Sequence, residues 1–270
     1  MSNLAINTVQ QDIVINAIEN KTLNASNLNF YTLRNLAGID SNKHAELDHG
    51  RLTIQRQDLL NQYLFSYGLM VQRQWHHVAP NIVEHIAEIL FAYDDQKIHL
   101  YDYGCGQGLA VLLLLETISG LDEYIEQTTL IEPSEIALAR TKSLIECKFP
   151  HVQAHTISDQ LDDVEAEALN IDTHKVNVHL FSNILDIESF DQVKLFNKIL
   201  GNGGTHYFIA VSSDRNFKGG TLRLKMIFDA LITLGANKPL DVSVSHTQFE
   251  YFKDEKDMNH VYFCLKVEMN

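Results

Sequence analysis

The chain is short of cysteine, of cations and of long apolar runs, and each shortage removes a class of protein. Its only cysteines, Cys105, Cys147 and Cys264, lie far apart with no CxxC pair. Neither a disulfide framework nor a cysteine zinc site is expected, so the three read as reduced thiols. Lys and Arg total 21 against 35 Asp and Glu, a net charge of -14 in 270 residues, with no basic cluster. A long-range field of that sign opposes a polyanion, so DNA and RNA are disfavoured as partners. No apolar stretch approaches the roughly 20 residues that span a bilayer, and MSNLAINTVQQD lacks the basic and apolar segments of a signal peptide. A cytoplasmic protein without a membrane partner is the expectation. No set of His and Cys at metal-ligand spacing stands out, so no metal is expected, and His76, His77, His179 and His206 read as surface or packed histidines rather than bases.

What is present is a globular composition, 45% hydrophobic with a mean hydropathy of -0.12, and enough length for one α/β domain with an appendage. From Lys97 onward, IHLYDY (98–103), TTLIE (128–132), HVQAHTI (151–157), VNVHLFS (176–182) and THYFIAVS (205–212) have strand length and little polar interruption, as strands covered on both faces require. Helical spacing fills the intervals in GLAVLLLLETI, SEIALARTKSLIE and FDQVKLFNKIL, so a doubly wound parallel sheet is predicted. After TLRLKMIFDALITLG, the runs DVSVSHTQFEYF and HVYFCLKVE flank the charged KDEKDMN and read as a hairpin. The first 96 residues lack this alternation: QDIVINAIEN and RQDLLNQYLFSYGLMVQRQWHHV suggest helices, and HGRLTI a short extended stretch. The expected fold class is α/β, a doubly wound, mostly parallel seven-stranded sheet with an antiparallel C-terminal hairpin. Residues 1–96 form an N-terminal helical cap and residues 97–270 the sheet domain.

YDYGCGQGLA, residues 101 to 110, carries the chemistry. A strand, a glycine loop and a helix at this point turn backbone N–H groups and a positive helix end toward a polar ligand. A nicotinamide fingerprint needs G-x-G-x-x-G, but the sixth position from Gly104 is Leu109 and from Gly106 it is Val111; no GxxxxGK[ST] loop occurs either. The pattern present is Asp102-x-Gly104-x-Gly106-x-Gly108. A carboxylate there suits a cation and penalises a pyrophosphate.

This motif resembles the first motif of the class I S-adenosylmethionine-dependent methyltransferases, an acid-x-Gly-x-Gly-x-Gly at the end of the first strand. The resemblance implies that Gly104, Cys105, Gly106 and Gly108 wrap the methionine part of S-adenosylmethionine, with Asp102 near its amino group. It further implies that Glu132, followed by Pro133, accepts the two ribose hydroxyls, although the same glutamate can serve the helix that starts near Ser134. Asp159, with Gln160 beside it, is the implied contact to adenine, and Ser182 and Asn183 border the transferable methyl. No [DNS]-P-P-[FYW] follows the fourth strand, which removes the best sign of an amino-methyltransferase acting on nucleobases or glutamine. In related folds a helix closes over the cofactor; here Tyr67, Arg73 and Trp75 on residues 61–77 are the candidates, Arg73 for the cofactor carboxylate and the rings for the pocket. The implied activity is methyl transfer to an unidentified small molecule, with a protein acceptor, a non-catalytic S-adenosylmethionine-binding module and a dinucleotide oxidoreductase as alternatives. Proximity and alignment carry most of such a displacement, so no catalytic base is assigned.

Overall fold

A computed structural model describes residues 12–39, 42–50, 52–92, 97–214, 220–236 and 242–269. The apolar runs after Lys97 become β1 (Ile98–Tyr103), β2 (Ile125–Ile131), β3 (Gln153–Ile157), β4 (Val176–Ser182), β5 (Gly204–Ser213), β6 (Val242–Lys253) and β7 (Asn259–Met269). They make one seven-stranded sheet in the order β3-β2-β1-β4-β5-β7-β6. The first five strands pair in parallel, and β7 runs antiparallel between β5 and β6. Every residue of β1 is buried, as a run without polar alternation demands when both sheet faces are covered.

The described helices are α1 (Ile13–Glu19), α2 (Phe30–Ala37), α3 (Gln57–Ala92), α4 (Leu109–Thr117), α5 (Glu135–Lys148), the single turn α6 (Ala166–Leu169), α7 (Gln192–Leu200) and α8 (Gly220–Ala236). On one sheet face, Leu100 and Leu130 share a core with Trp75 and Ile82 of α3, Val111 and Leu114 of α4, and Leu144 of α5. On the other, Tyr103, Phe181 and Phe208 pack with Leu195 and Phe196 of α7 and Leu224 of α8. The strand order reverses between β1, which leads toward β2 and β3, and β4, which leads toward β5. A crevice opens at such a switch point, outside the carboxyl ends of the strands.

Helix α3 runs further than the 56–78 segment suggests and passes through Pro80. A proline inside a helix costs about 3 kcal/mol or more. Beyond it, Ile82, Ile86 and Ile89 continue the buried stripe of Val78 and Ala79; burying three such side chains contributes about 1.5–3 kcal/mol each, which exceeds that cost. Helix α2 was not expected from the pattern; Asn29 caps it by accepting from the Thr32 N–H, and Phe30, Leu33 and Ala37 supply its buried face. In HGRLTI, His49 and Gly50 end a 3-10 helix, His44–Gly50, and the described residues 52–54 carry no strand. The N-terminal helices share the core of the sheet, and the expected boundary at 96–97 abuts residues 93–96, which lie outside the described residues. Among the described residues no helix is long and apolar enough to cross a membrane.

Candidate functional site

At the switch point, a cleft of about 380 Å³ is lined by Gly104 and Gly106 after β1, Glu132 and Pro133 after β2, Gln160 after β3, and Ser182 and Asn183 at the end of β4. Seven of the residues expected from sequence therefore meet at one place, because parallel strands deliver their carboxyl ends to one edge. The glycine loop is held from both sides: Glu132 Oε2 accepts from the Gly106 N–H at 3.1 Å, and Thr141 Oγ1 donates to the Gly106 carbonyl at 2.8 Å.

Two glycines answer different needs. Gly106 has φ +52, and a Cβ there would meet nothing within 4 Å among the described residues, so the backbone lies bare to the cleft. Gly108, at φ +71, starts α4, and a Cβ would stand 2.5 Å from Thr141 Cγ2. Both substitutions to alanine carry the left-handed strain of about 1–2 kcal/mol. Gly108→Ala is expected to lose about 1–3 kcal/mol more than Gly106→Ala, because it also overpacks Thr141. Urea unfolding of both variants checks this; equal losses would show that the helix and loop separate without resistance.

Asp102 lies behind the loop. It is 1% exposed, and neither carboxylate oxygen has a hydrogen-bond partner among the described residues. Burial, and then the charge of Glu132, push its carboxyl up to about 8. Glu132 is better provided, since its other oxygen accepts from the Ser134 N–H at 3.0 Å; burial raises its carboxyl, and the two N–H donors oppose the rise. Cys105 is buried and its thiol is driven well up, so it is no nucleophile. Asp162 and Asp163 add carboxylates to the wall, and none of the described lining residues is Lys, Arg or His. The arrangement suits a ligand with a cationic end, and an orphaned buried carboxylate is the group that such an end would satisfy.

Several expected residues fall elsewhere. Asp159 is exposed and outside the cleft, while Gln160, its neighbour, lines it and reaches Thr53 Oγ1 at 3.5 Å. Of the α3 candidates none lines the wall. Tyr67 packs on Tyr63 and His44, Arg73 pairs with Asp254 and Glu255 of the β6–β7 turn, and Trp75 is fully buried and donates its indole N–H to Ser182 Oγ at 3.1 Å. Trp75, roughly 18 Å along the axis from Tyr63 at about 1.5 Å per residue, stands behind the far edge of the cleft, where Ser182 and not the indole forms the wall. Only the first turns of α3, with Leu60 and Tyr63, reach the cleft.

What sequence reasoning missed is the strap of Leu52, Thr53 and Ile54 across the opening, tied down where the Ser134 hydroxyl donates to the Ile54 carbonyl. It also missed Gln74, whose side-chain amide pairs reciprocally with that of Asn183 at 2.7 and 3.1 Å, and which contacts His260 Nδ1 at 3.1 Å. Asn183 holds φ +56 there, a conformation asparagine tolerates. Gln62, Gln72 and Gln74, glutamines within the long buried stripe of α3, were the available signal. Among the described residues no group of three or more His, Cys, Asp or Glu is placed to hold a metal.

No family model matches the sequence, and no curated protein sequence matches it. Solved structures do. The DszA carbon methyltransferase is 12% identical, with a TM-score of 0.53 over 84% of this chain and 63% of that one. The plantazolicin methyltransferase BpumL, solved with a monoazolic desmethylPZN analogue and SAH, is 14% identical with a TM-score of 0.46 over 74% and 86%. Magnesium protoporphyrin IX methyltransferase from Synechocystis PCC 6803, solved with bound SAH, is 13% identical with a TM-score of 0.44 over 78% and 99%. At these identities the likeness is one of fold, and the first of the three carries it. With the strand order, the antiparallel β7 and the glycine loop after β1 already described, the chain has the class I, Rossmann-like methyltransferase fold.

Proposed function

We propose that the chain is an S-adenosylmethionine-dependent methyltransferase acting on a small-molecule acceptor. The observation that carries this reading is Asp102, a buried carboxylate with no partner among the described residues, behind the bare glycine loop whose Gly104 and Gly106 line the cleft with Glu132. When bound, the cofactor supplies a methyl group activated by a sulfonium. The chain supplies position. Asp102 takes the ammonium of the methionine part, Gly106 leaves room for it, and Glu132 offers the ribose hydroxyls the lone pairs that Gly106 and Ser134 leave free. Gln160 and the strap of 52–54 border the base, and residues 1–96 act as the cap that limits water and acceptor access. Ser182, held by Trp75, and Asn183, held by Gln74, define the edge of the cleft beyond β4.

Calorimetry on the whole chain is expected to show binding of S-adenosylmethionine and S-adenosylhomocysteine and none of NAD; heat with NAD alone would sink the reading. Glu132→Gln is the sharper test. Both carboxylate oxygens already accept N–H groups, one from the glycine loop and one from the helix start, so ribose recognition would be added to a structural duty. Glutamine turns one acceptor into a donor facing a donor, so unliganded stability should fall by about 1–3 kcal/mol. Affinity should also fall about ten- to a hundredfold, the equivalent of charge-assisted bonds worth about 1.5–3 kcal/mol. Unchanged affinity would remove Glu132 from ligand recognition and leave it a structural role. Cofactor binding without methyl incorporation from any acceptor would favour a binding module.

A further inference from the structure

A second cavity, of about 590 Å³, runs between α7 and α8, and its walls include Val193, Phe196, Leu200, Met226 and Leu234. Phe190 lines both this groove and the cleft, so the groove begins where the cleft ends. Two of its apolar side chains are left largely in water, Val193 at 71% and Met226 at 62% exposure. Contiguous exposed apolar surface in a concave setting marks a binding site more often than it occurs by chance.

The only cation among the described lining residues is Arg223. Its Nε is buried and has no hydrogen-bond partner among the described residues, while the lysines of the two helices are occupied: Lys194 and Lys198 donate to the Asp162 carbonyl and Lys225 pairs with Asp229. Asp191 also lines the groove, but its Oδ1 is taken by the Lys194 N–H at the start of α7, so the buried Arg223 Nε is the polar group there that awaits a partner, in a chain of net charge -14. Both helices leave the carboxyl edge of the sheet, α7 after β4 and α8 after β5, so Arg223 in the first turn of α8 and Val193 at the start of α7 lie at the cleft end. Leu200 and Leu234 lie at the far end. The nine residues of α7 span about 13 Å. That length suits an extended chain of around ten carbons. A second copy of the same acidic chain is a poorer occupant, because like charge opposes the approach.

We infer that the groove between α7 and α8 binds a single-chain amphipathic acid, its apolar chain along the two helices and its anionic group at Arg223, beside the cleft. That this ligand is the methyl acceptor rests on the function proposed above; that the groove binds it does not.

Calorimetric titration of the full chain with dodecanoate, below its micelle concentration, tests the groove. Binding to the wild type is expected, with affinity at least tenfold weaker in Met226→Glu and in Arg223→Gln and unchanged in Leu222→Glu, which alters an equally exposed residue of α8 outside the groove. Dodecylamine should bind at least tenfold more weakly than dodecanoate. No binding to the wild type, an equal loss in Leu222→Glu, or equal affinity for the amine overturns the inference, as does a dimer in solution that Met226→Glu dissociates. S-adenosylmethionine titrated in parallel separates the two readings: no cofactor binding with intact dodecanoate binding removes the methyltransferase and keeps the groove, and the reverse result removes the groove alone.

Discussion

Asp12→Ala is expected to lower the unfolding free energy by about 3–5 kcal/mol, because it strands a charge that the fold has buried. Arg140 on α5 is 0% exposed; its Nε donates to Asp12 at 2.8 Å, and its two terminal nitrogens donate to Gln107 and Asn61, each at 2.7 Å. Burial lowers the affinity of this guanidinium for its proton, and Asp12 opposes that. Asp12 also caps α1 by accepting from the Val14 and Ile15 N–H groups. One side chain thus ties α1, α3, α5 and the glycine loop together, since Gln107 in turn donates to the Leu60 carbonyl at 2.8 Å. Loss of several kcal/mol in a chain of this size corresponds to roughly 10 °C in melting temperature. Asp12→Asn keeps one oxygen for the α1 cap but sets an NH2 where Oδ2 accepts from Arg140 Nε and removes the charge, so it should recover only the capping part of the loss, about 1 kcal/mol. Chemical denaturation of the two variants checks this, and a loss below about 1 kcal/mol for Asp12→Ala would show that water reaches Arg140 once the helix frays.

The second large effect is in pH. Asp102 gives up its proton near 3.8 in the unfolded chain and near 8 in the native one. The native state therefore holds one proton more between these values, and stability falls with each pH unit in that window. At about 1.4 kcal/mol per unit, the full effect is on the order of 5 kcal/mol, reached above about pH 8 and absent below about pH 4. Other carboxylates have their own pH dependence, so the measurement is the difference between wild type and Asp102→Asn, by urea unfolding without ligand at pH 5 to 9. The asparagine variant should gain steadily on the wild type up to about pH 8 and then hold a constant lead. Parallel curves would mean that Asp102 is solvated or paired in solution. Under the proposed function, a ligand ammonium opposite Asp102 favours the ionised form. Binding at pH 7 should then release a proton, visible as a binding heat that changes with the ionisation enthalpy of the buffer, and Asp102→Asn should bind more weakly despite its greater stability.

The strands were legible because a strand buried on both faces reads as an unbroken apolar run: IHLYDY and VNVHLFS match β1 and β4 at both ends. The cleft was legible wherever its residues sit at strand ends, as Gly106, Glu132 and Asn183 do, since topology alone brings those ends together. It was not legible on α3. Tyr63, Tyr67 and Trp75 present similar apolar character along one helix, and periodicity states which face is buried without stating which turn meets the cleft.

By itself, then, the sequence determined the parallel sheet, the antiparallel ending and the acid before the glycine loop, all of which depend on neighbours a few residues apart. The tertiary structure alone decided that Asp102 has no partner among the described residues, that Arg140 meets Asp12 across 128 positions and Gln74 meets Asn183 across 109, and that a groove lined by Arg223 adjoins the cleft. The physical reason is that partnership of a buried charge is a property of the whole packing. A local pattern sets the direction in which a side chain leaves its helix or strand, and only the closing of the other elements around it sets what it meets.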